Sequence, residues 1–125
     1  MNRSWQKAMI VLMWLALVTT ALNYWHAWDQ LPSRMAVHFD ANWRPNGYTS
    51  REGAVMLGVG IMTVMLVLFT VAALIAHAMK PAAFCPVMLV SYVVLGLCWY
   101  GNYSIVKFNL TLVAPHPPVY LTVPQ

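Results

Sequence analysis

Three long apolar blocks, separated by short polar segments, dominate the sequence. The charge-free runs cover residues 8–28, 53–79 and 81–106. Each meets the length of about 20 apolar residues that a helix needs to cross roughly 30 Å of hydrocarbon. Because backbone polar groups in lipid must be satisfied within their own segment, each run is expected to be helical. The pattern predicts an all-α integral membrane protein, a single domain of residues 1–125 with transmembrane helices over about 5–25, 53–79 and 84–103.

The first apolar block has two interpretations. Arg3 and Lys7 precede it, as basic residues precede the apolar part of a secretory signal peptide. Residues 20–23 give a poor small-x-small cleavage pattern and lead straight into Tyr24 and Trp25. We therefore predict a retained transmembrane helix, with a cleaved signal peptide as the alternative.

The polar segment at residues 26–52 holds all three acidic residues of the chain. Within it, residues 35–40 alternate as a short strand would, with Met35, Val37 and Phe39 on one face. Residues 44–47 (Arg-Pro-Asn-Gly) follow with the composition of a tight turn. The sequence predicts a structured loop, made of a short strand and a turn, lying on the ends of helices 1 and 2.

The boundaries of the later helices have their own signals. Thr49 and Glu52 have the spacing of a capping box, which predicts Thr49 as the N-cap of the second helix. Lys80 and Pro81 end that helix, so the second and third helices form an antiparallel hairpin. The proline-rich residues 104–125 are predicted to be an extended tail. Pairing with the loop strand, contact with a partner and a frayed terminus remain alternatives for this tail.

Composition agrees with a lipid environment. Hydrophobic residues make up 61% of the chain and charged residues 8%, whereas soluble domains carry roughly 25% charged residues. The net charge of +4 comes from scattered basic residues that form no stripe. Nucleic-acid binding requires such a stripe, so the lipid bilayer and its anionic headgroups are the expected surroundings.

The distribution of basic residues suggests an orientation. One set is Arg3, Lys7 and Lys80, and the other is Arg34, Arg44, Arg51 and Lys107. The first set crowds short segments, which are the segments that the positive-inside rule weighs. We therefore predict a cytoplasmic N-terminus, with the loop at residues 26–52 and the C-terminus outside.

Candidate chemistry is sparse. His26, Asp29, His38 and Asp40 lie on one side of the membrane and could form a metal site, but their spacing matches no zinc pattern. The favoured alternative is that His38 and Asp40 hold the loop through hydrogen bonds and an ion pair with Arg34 or Arg44. We therefore predict no cofactor and no bound metal.

Catalysis and ion-coupled transport also lack their usual residues. No serine lies in a Gly-x-Ser-x-Gly elbow, and the sequence contains no glycine-rich phosphate loop. His77 is the histidine clearly within a span, and its position near Lys80 favours an interfacial role. Because no acidic residue lies within a span, a proton or sodium pathway has no obvious site. The sequence predicts a protein that is not an enzyme.

The loop motif resembles a known family. It consists of Leu31, Pro32, His38, Phe39, Asp40, Pro45, Asn46, Gly47, Tyr48, Ser50 and Arg51. The motif follows the first predicted span, and the order of its residues resembles that of a short bacterial membrane domain of unknown function. That domain is found at the N-terminus of SdpI-like proteins, which protect Bacillus against its own secreted Sdp toxin. The resemblance covers residues 5–79 and implies a bacterial inner (plasma) membrane protein.

This chain departs from the resembled pattern in three respects. The family usually has glycine where Trp43 stands and an acid where Asn46 stands, and SdpI-like proteins carry further spans. The resemblance implies toxin immunity or envelope-stress sensing by binding, with a peptide toxin as a candidate partner. A small accessory subunit, with a membrane-protein partner or as a homo-oligomer, is the first alternative. A metal-binding or transport component is the second.

Overall fold

The computed structural model describes residues 3–113, which form three long helices and one β-hairpin. Helix α1 spans Arg3–Ala27, α2 spans Arg51–Met79 and α3 spans Phe84–Val113. Strands β1 (Arg34–Phe39) and β2 (Pro45–Ser50) lie between α1 and α2. Short 3₁₀ turns at Trp28–Gln30 and Pro81–Ala83 complete the connections.

The three helices confirm the prediction of a multi-pass membrane protein. Each is long and apolar enough to cross a membrane, and no more than 22% of the most apolar stretch of each is buried inside the protein. Most of the large aliphatic side chains therefore point outward, as with Val11, Leu68 and Leu89. A continuous apolar surface of this extent is unfavourable in water, so lipid must surround the helices.

The inner faces of the helices form a methionine-rich core. Its fully buried members include Met13 of α1, Met62 and Leu66 of α2, and Phe84, Met88 and Leu95 of α3. On α3 the buried positions 84, 88, 91 and 95 recur every three or four residues, which places them on one helical stripe. Ser91 lies within this stripe and donates its hydroxyl hydrogen to the carbonyl of Val87 at 2.7 Å. The core is consequently apolar, and the buried hydroxyl of Ser91 has a hydrogen-bond partner within its own helix.

The loop strand is confirmed, but the predicted turn is wrong. β1 and β2 pair antiparallel with Arg34 opposite Ser50 and Phe39 opposite Pro45. The chain reverses at residues 40–44, where the Asp40 amide donates to the Arg44 carbonyl at 2.9 Å. The segment predicted as the turn lies mostly in β2, with Pro45 as its first residue. A proline is tolerated there because an end position of a two-stranded ribbon does not need its amide.

The N-cap of α2 is Ser50 and not Thr49. The Ser50 hydroxyl accepts a hydrogen bond from the Gly53 amide at 3.0 Å. Thr49 is still paired with Met35 in the sheet, so the helix can begin only one residue later than the capping-box spacing implied. Glu52 lies in the first turn of α2, and its carboxylate is 3.8 Å from Arg51 Nε. A negative charge at this position is stabilised by the positive N-terminal end of the helix dipole.

Helix α3 continues through residues 104–113, which were predicted to be extended. This stretch contains neither proline nor glycine, and the first helix-breaking residue after it is Pro115. The prolines at positions 115–124 led to the prediction of an extended conformation for residues 104–113 as well. The rest of the predicted tail, residues 114–125, lies outside the described residues.

Candidate functional site

The buried side chain of Asn109 joins the hairpin to α3 through hydrogen bonds. Its Oδ1 accepts a hydrogen bond from the Ala36 amide at 2.8 Å, and its Nδ2 donates to the Ala36 carbonyl at 2.8 Å. Nδ2 also donates to the Ile105 carbonyl at 2.8 Å. Both Asn109 and Ala36 are 0% exposed. The amide therefore satisfies both backbone groups of Ala36, as a neighbouring strand would.

A second apolar cluster lies beneath the hairpin. It joins Met35 of β1 and Leu31 to side chains from all three helices, namely Tyr24, Ala27, Ala54 and Val106. Full burial of a methionine side chain such as Met35 is worth about 1.5–3 kcal/mol. The hairpin is consequently part of the packed protein and is not a flexible linker.

Arg51 ties the start of α2 to the end of α1. Its guanidinium lies 4.2 Å from the centre of the Trp28 ring, and its Nη1 donates to the Trp28 carbonyl at 3.0 Å. Its backbone amide donates to the Ser33 carbonyl at 3.0 Å. Cation–π contacts are worth about 0.5–1 kcal/mol at exposed sites and about 2 kcal/mol when desolvated, and the Arg51 side chain is 27% exposed. Arg51 thus helps to fix the base of the hairpin.

The hairpin tip is organised by Asp40. Its Oδ1 accepts hydrogen bonds from the amides of Asn42 at 2.8 Å and Arg44 at 2.9 Å. Trp43 has a φ of 59°, in the left-handed region that glycine adopts most readily. This conformation accounts physically for the glycine that the resembled domain usually has at this position. Trp43 accepts the strain while exposing 78% of its surface.

Other motif residues contact one another or Arg34 within the hairpin. Gly47 faces His38 across the strands, and a Cβ on Gly47 would lie 2.7 Å from His38 Cβ. His38 hydrogen-bonds to Asn46 through Nδ1, and Arg34 lies 5.0 Å above the ring of Tyr48. The predicted hydrogen bonding of His38 and Asp40 is therefore confirmed.

The predicted ion pair of Asp40 is wrong. Among residues 3–113, no salt bridge joins its carboxylate to Arg34 or Arg44. Backbone amides occupy the carboxylate oxygen instead, because the tight reversal at residues 40–44 brings them within reach.

The metal hypothesis finds no geometric support. Asp29 lies in the 3₁₀ turn after α1, and His26 is exposed on the last turn of that helix. His38 and Asp40 are engaged within the hairpin. Within the described part of the chain, no three His, Cys, Asp or Glu side chains are grouped to hold a metal ion.

Among the open grooves at the hairpin end of the helices, two exceed 500 Å³. The side groove, of about 560 Å³, lies between α1 and α2 and is lined by Tyr24, Trp25, Trp28, Asp29 and Val55 among others. The tip groove, of about 540 Å³, lies between the hairpin tip and α3, and its lining includes Phe39, Trp43, Tyr100, Lys107 and Phe108. Both grooves are mostly apolar, and each has a charged side chain at its rim. They could accommodate an amphipathic peptide or lipid.

A polar contact within the helices was not anticipated from the sequence. The Tyr24 hydroxyl donates to Asn102 Oδ1 at 3.0 Å, and Asn102 Nδ2 donates to the Cys98 carbonyl at 3.0 Å. Gly58 provides the space, since a Cβ there would lie 2.9 Å from the Tyr24 hydroxyl and would also collide with Asn102. Asn102 and Asn109 are two helical turns apart on α3, and this spacing of amides in an apolar helix was the available signal.

Comparison with known proteins identifies one family over part of the chain. No curated protein sequence and no solved structure matches this protein. Residues 9–63 match the family model of DUF1648, described as a domain of unknown function. The matched stretch begins in α1, includes the whole hairpin and ends within α2, whereas Asn102 and Asn109 of α3 lie beyond it. Over α1, the hairpin and the first half of α2, the chain is thus similar to DUF1648.

Proposed function

We propose that this protein is a non-catalytic binding protein of the bacterial inner membrane and that its hairpin is the recognition surface. The observation that carries the proposal is a hairpin that is fixed to the helices and has exposed aromatic side chains at its tip and on the adjoining parts of α1 and α3. Asn109 and the Met35 cluster hold it, while Trp25 is 82% exposed, Trp43 78% and Tyr100 62%. Exposed tryptophan and tyrosine are the residues that most often dominate binding energy at interfaces.

A fixed hairpin is suited to binding because its conformation is already ordered. Association loses less free energy when the binding segment does not have to be ordered at the same time. β2 pairs with β1 on one side only among the described residues, so its other edge could accept an extended peptide as an added strand. The resemblance to SdpI-like proteins makes a membrane-active peptide toxin the favoured ligand, with envelope-stress sensing as the related role.

The proposed orientation places the hairpin where a secreted peptide would meet it. Arg3, Lys7 and Lys80 would lie in the cytoplasm by the positive-inside rule. The hairpin would then face outward. Cysteine substitutions at Asn42 and at Ser4, each in a Cys85→Ser/Cys98→Ser background and labelled with a membrane-impermeant maleimide on intact cells, test this arrangement. Labelling at residue 42 alone supports it, and labelling at residue 4 alone would reverse it.

The immunity role is tested by toxin challenge. The protein is expressed in a toxin-sensitive strain beside the variants Trp43→Ala and Trp5→Ala, with membrane levels matched. Trp5 is 69% exposed at the opposite end of α1, so its substitution removes a comparable indole away from the hairpin. Protection that is lost with Trp43→Ala and kept with Trp5→Ala supports the proposal. No protection by the unaltered protein at confirmed membrane levels would remove the immunity role.

An accessory subunit of a larger membrane complex is the second candidate, favoured by two outward-facing glycines. A Cβ added at Gly60 of α2 or Gly96 of α3 would meet no atom within 4 Å, unlike one at Gly58. Small residues on the outer face let another helix approach closely. Purification from native membranes in mild detergent should then yield a stoichiometric partner, which Gly60→Leu would release. A protein that purifies without a partner would argue against an accessory subunit and favour the binding protein proposed first.

A further inference from the structure

A basic cleft lies at the end of the helices opposite the hairpin. It has a volume of about 260 Å³ and is formed by the first turns of α1, the last turns of α2 and the first residue of α3. The side chains that matter here are Arg3, Gln6, Lys7, His77 and Phe84. None of these residues contributes to the hairpin or its two grooves.

No carboxylate side chain neutralises this cleft. The chain has three acidic residues, and Asp29, Asp40 and Glu52 all lie at the hairpin end. Helix α1 separates the two ends by its 25 residues, or about 37 Å at 1.5 Å per residue. Among residues 3–113, neither Arg3 nor Lys7 takes part in a salt bridge. The cleft is therefore a local concentration of positive charge.

His77 adds an imidazole to the lining of the cleft. Its Nδ1 is buried and has no hydrogen-bond partner among the described residues. The ring is held edge-on against Phe84, with the two ring centres 6.1 Å apart. Gln6 of the same cleft is only 8% exposed. A buried nitrogen without a partner is destabilising, so a rotation of the imidazole that presents Nδ1 to a molecule in the cleft would gain a hydrogen bond.

The position of the cleft defines the chemistry of its occupant. Ile10 and Leu74 form an apolar wall on the side of the membrane core, and the basic side chains lie toward the helix ends. A molecule that matches both has an anionic head and an apolar body. We propose that the basic cleft binds the phosphate group of an anionic phospholipid, with Arg3, Lys7 and His77 around the phosphate and the acyl chains against the apolar wall.

The proposal is tested by native mass spectrometry of the full chain released from mild detergent. Phosphatidylglycerol and phosphatidylcholine with identical acyl chains are added separately, and retained lipid is counted. The test variant is Arg3→Gln/Lys7→Gln, and the matched control is Arg34→Gln/Arg44→Gln, which removes the same charge at the hairpin end. All four side chains are exposed, so neither variant disturbs the core.

The expected result is selective retention of phosphatidylglycerol by the unaltered protein. Each basic residue near the surface contributes about fivefold in affinity for anionic lipid, so the test variant should bind about 30-fold more weakly. The control variant should keep its affinity. His77→Phe, which preserves the aromatic contact with Phe84, should weaken binding about fivefold through the lost hydrogen bond.

Three results would overturn the proposal. Equal retention of the two lipids would show that no anionic headgroup is selected. An equal loss in both double variants would attribute binding to net charge and not to the cleft. Displacement of phosphatidylglycerol by millimolar inorganic phosphate, with loss of selectivity between lipids, would make free phosphate and not a phospholipid the ligand.

Discussion

The side-chain amide of Asn109 pairs with the backbone of Ala36 through two hydrogen bonds of 2.8 Å, one in each direction. Position 109 lies near the end of α3, and position 36 lies in the middle of β1. A buried side chain thus connects α3 to the hairpin that follows α1. The proposed recognition surface depends on this connection for its fixed position.

Removal of that amide should release the hairpin. Asn109→Ala leaves the buried amide and carbonyl of Ala36 without partners, and each such group costs about 1–3 kcal/mol. We expect the free energy of unfolding in detergent to fall by about 3 kcal/mol. Hydrogen exchange at the Ala36 amide should accelerate most strongly.

Asn42→Ala is the matched control for that experiment. Asn42 is exposed at the hairpin tip, and its contribution to the turn is its backbone amide, which alanine retains. Its stability should remain within about 0.5 kcal/mol of the unaltered protein. Unchanged exchange at Ala36 in Asn109→Ala would show that the amide does not hold the hairpin.

The backbone conformation at Trp43 predicts an order of stability. At a φ of 59° a Cβ is unfavourable, so Trp43→Gly should be more stable than Trp43→Ala by about 1 kcal/mol. Both variants lose the indole that faces Phe39 at a ring-centre distance of 6.5 Å, so the difference between them isolates the backbone. Thermal unfolding in the same detergent measures it. The reverse order would mean that residue 43 does not adopt the left-handed conformation.

Two glycines of α2 should respond oppositely to the same substitution. Gly58→Ala places a methyl group against Asn102 and the Tyr24 hydroxyl, and such overpacking typically costs 1–3 kcal/mol. Gly60→Ala meets no atom within 4 Å and should be neutral or slightly stabilising, because alanine favours a helix over glycine. Chemical unfolding compares the two. Equal effects at both positions would contradict the packing of α2 against α1 and α3.

The start of α2 provides a test of the corrected N-cap. Ser50→Ala removes the acceptor of the Gly53 amide and should lower the free energy of unfolding by about 1 kcal/mol. Thr49→Ala should have the smaller effect, since Thr49 makes no cap and its backbone pairing with Met35 is retained. A larger loss with Thr49→Ala would restore the capping box predicted from sequence.

The sequence predicted the helices well because the length and apolarity that a membrane span needs can be read from each segment by itself. It also predicted β1 from the alternation of residues 35–40, although Met35 and Ala36 are both buried in the structure and the strand pairing is irregular between Ala36 and Phe39. It misplaced the turn because Pro45 and Gly47 are strong turn residues. In the structure, however, Gly47 is needed for the close approach of His38 across the strands, and the reversal falls on Asp40 to Arg44. The sequence of β2 lacks the alternation of apolar and polar residues that predicts a strand, although the burial of its residues alternates in the structure.

The contact that fixes the hairpin to α3 could not be predicted from the sequence alone. Asn109 lies 73 positions from Ala36 along the chain, and nothing local to either residue indicates their contact. The same applies to Tyr24 and Asn102, which are brought together by the packing of α1 against α3. An isolated amide in an apolar segment signals that a partner exists, but the partner's identity follows only from the fold.

The fixed hairpin is, as we propose, the surface by which this protein binds its partner. The most direct measurement places a photo-crosslinking amino acid at position 43 and, separately, at position 5, in the full chain in native bacterial membranes. Mass spectrometry then identifies the adducts. We predict a peptide or protein adduct at position 43 that is absent at position 5. Lipid adducts alone at both positions would contradict the claim.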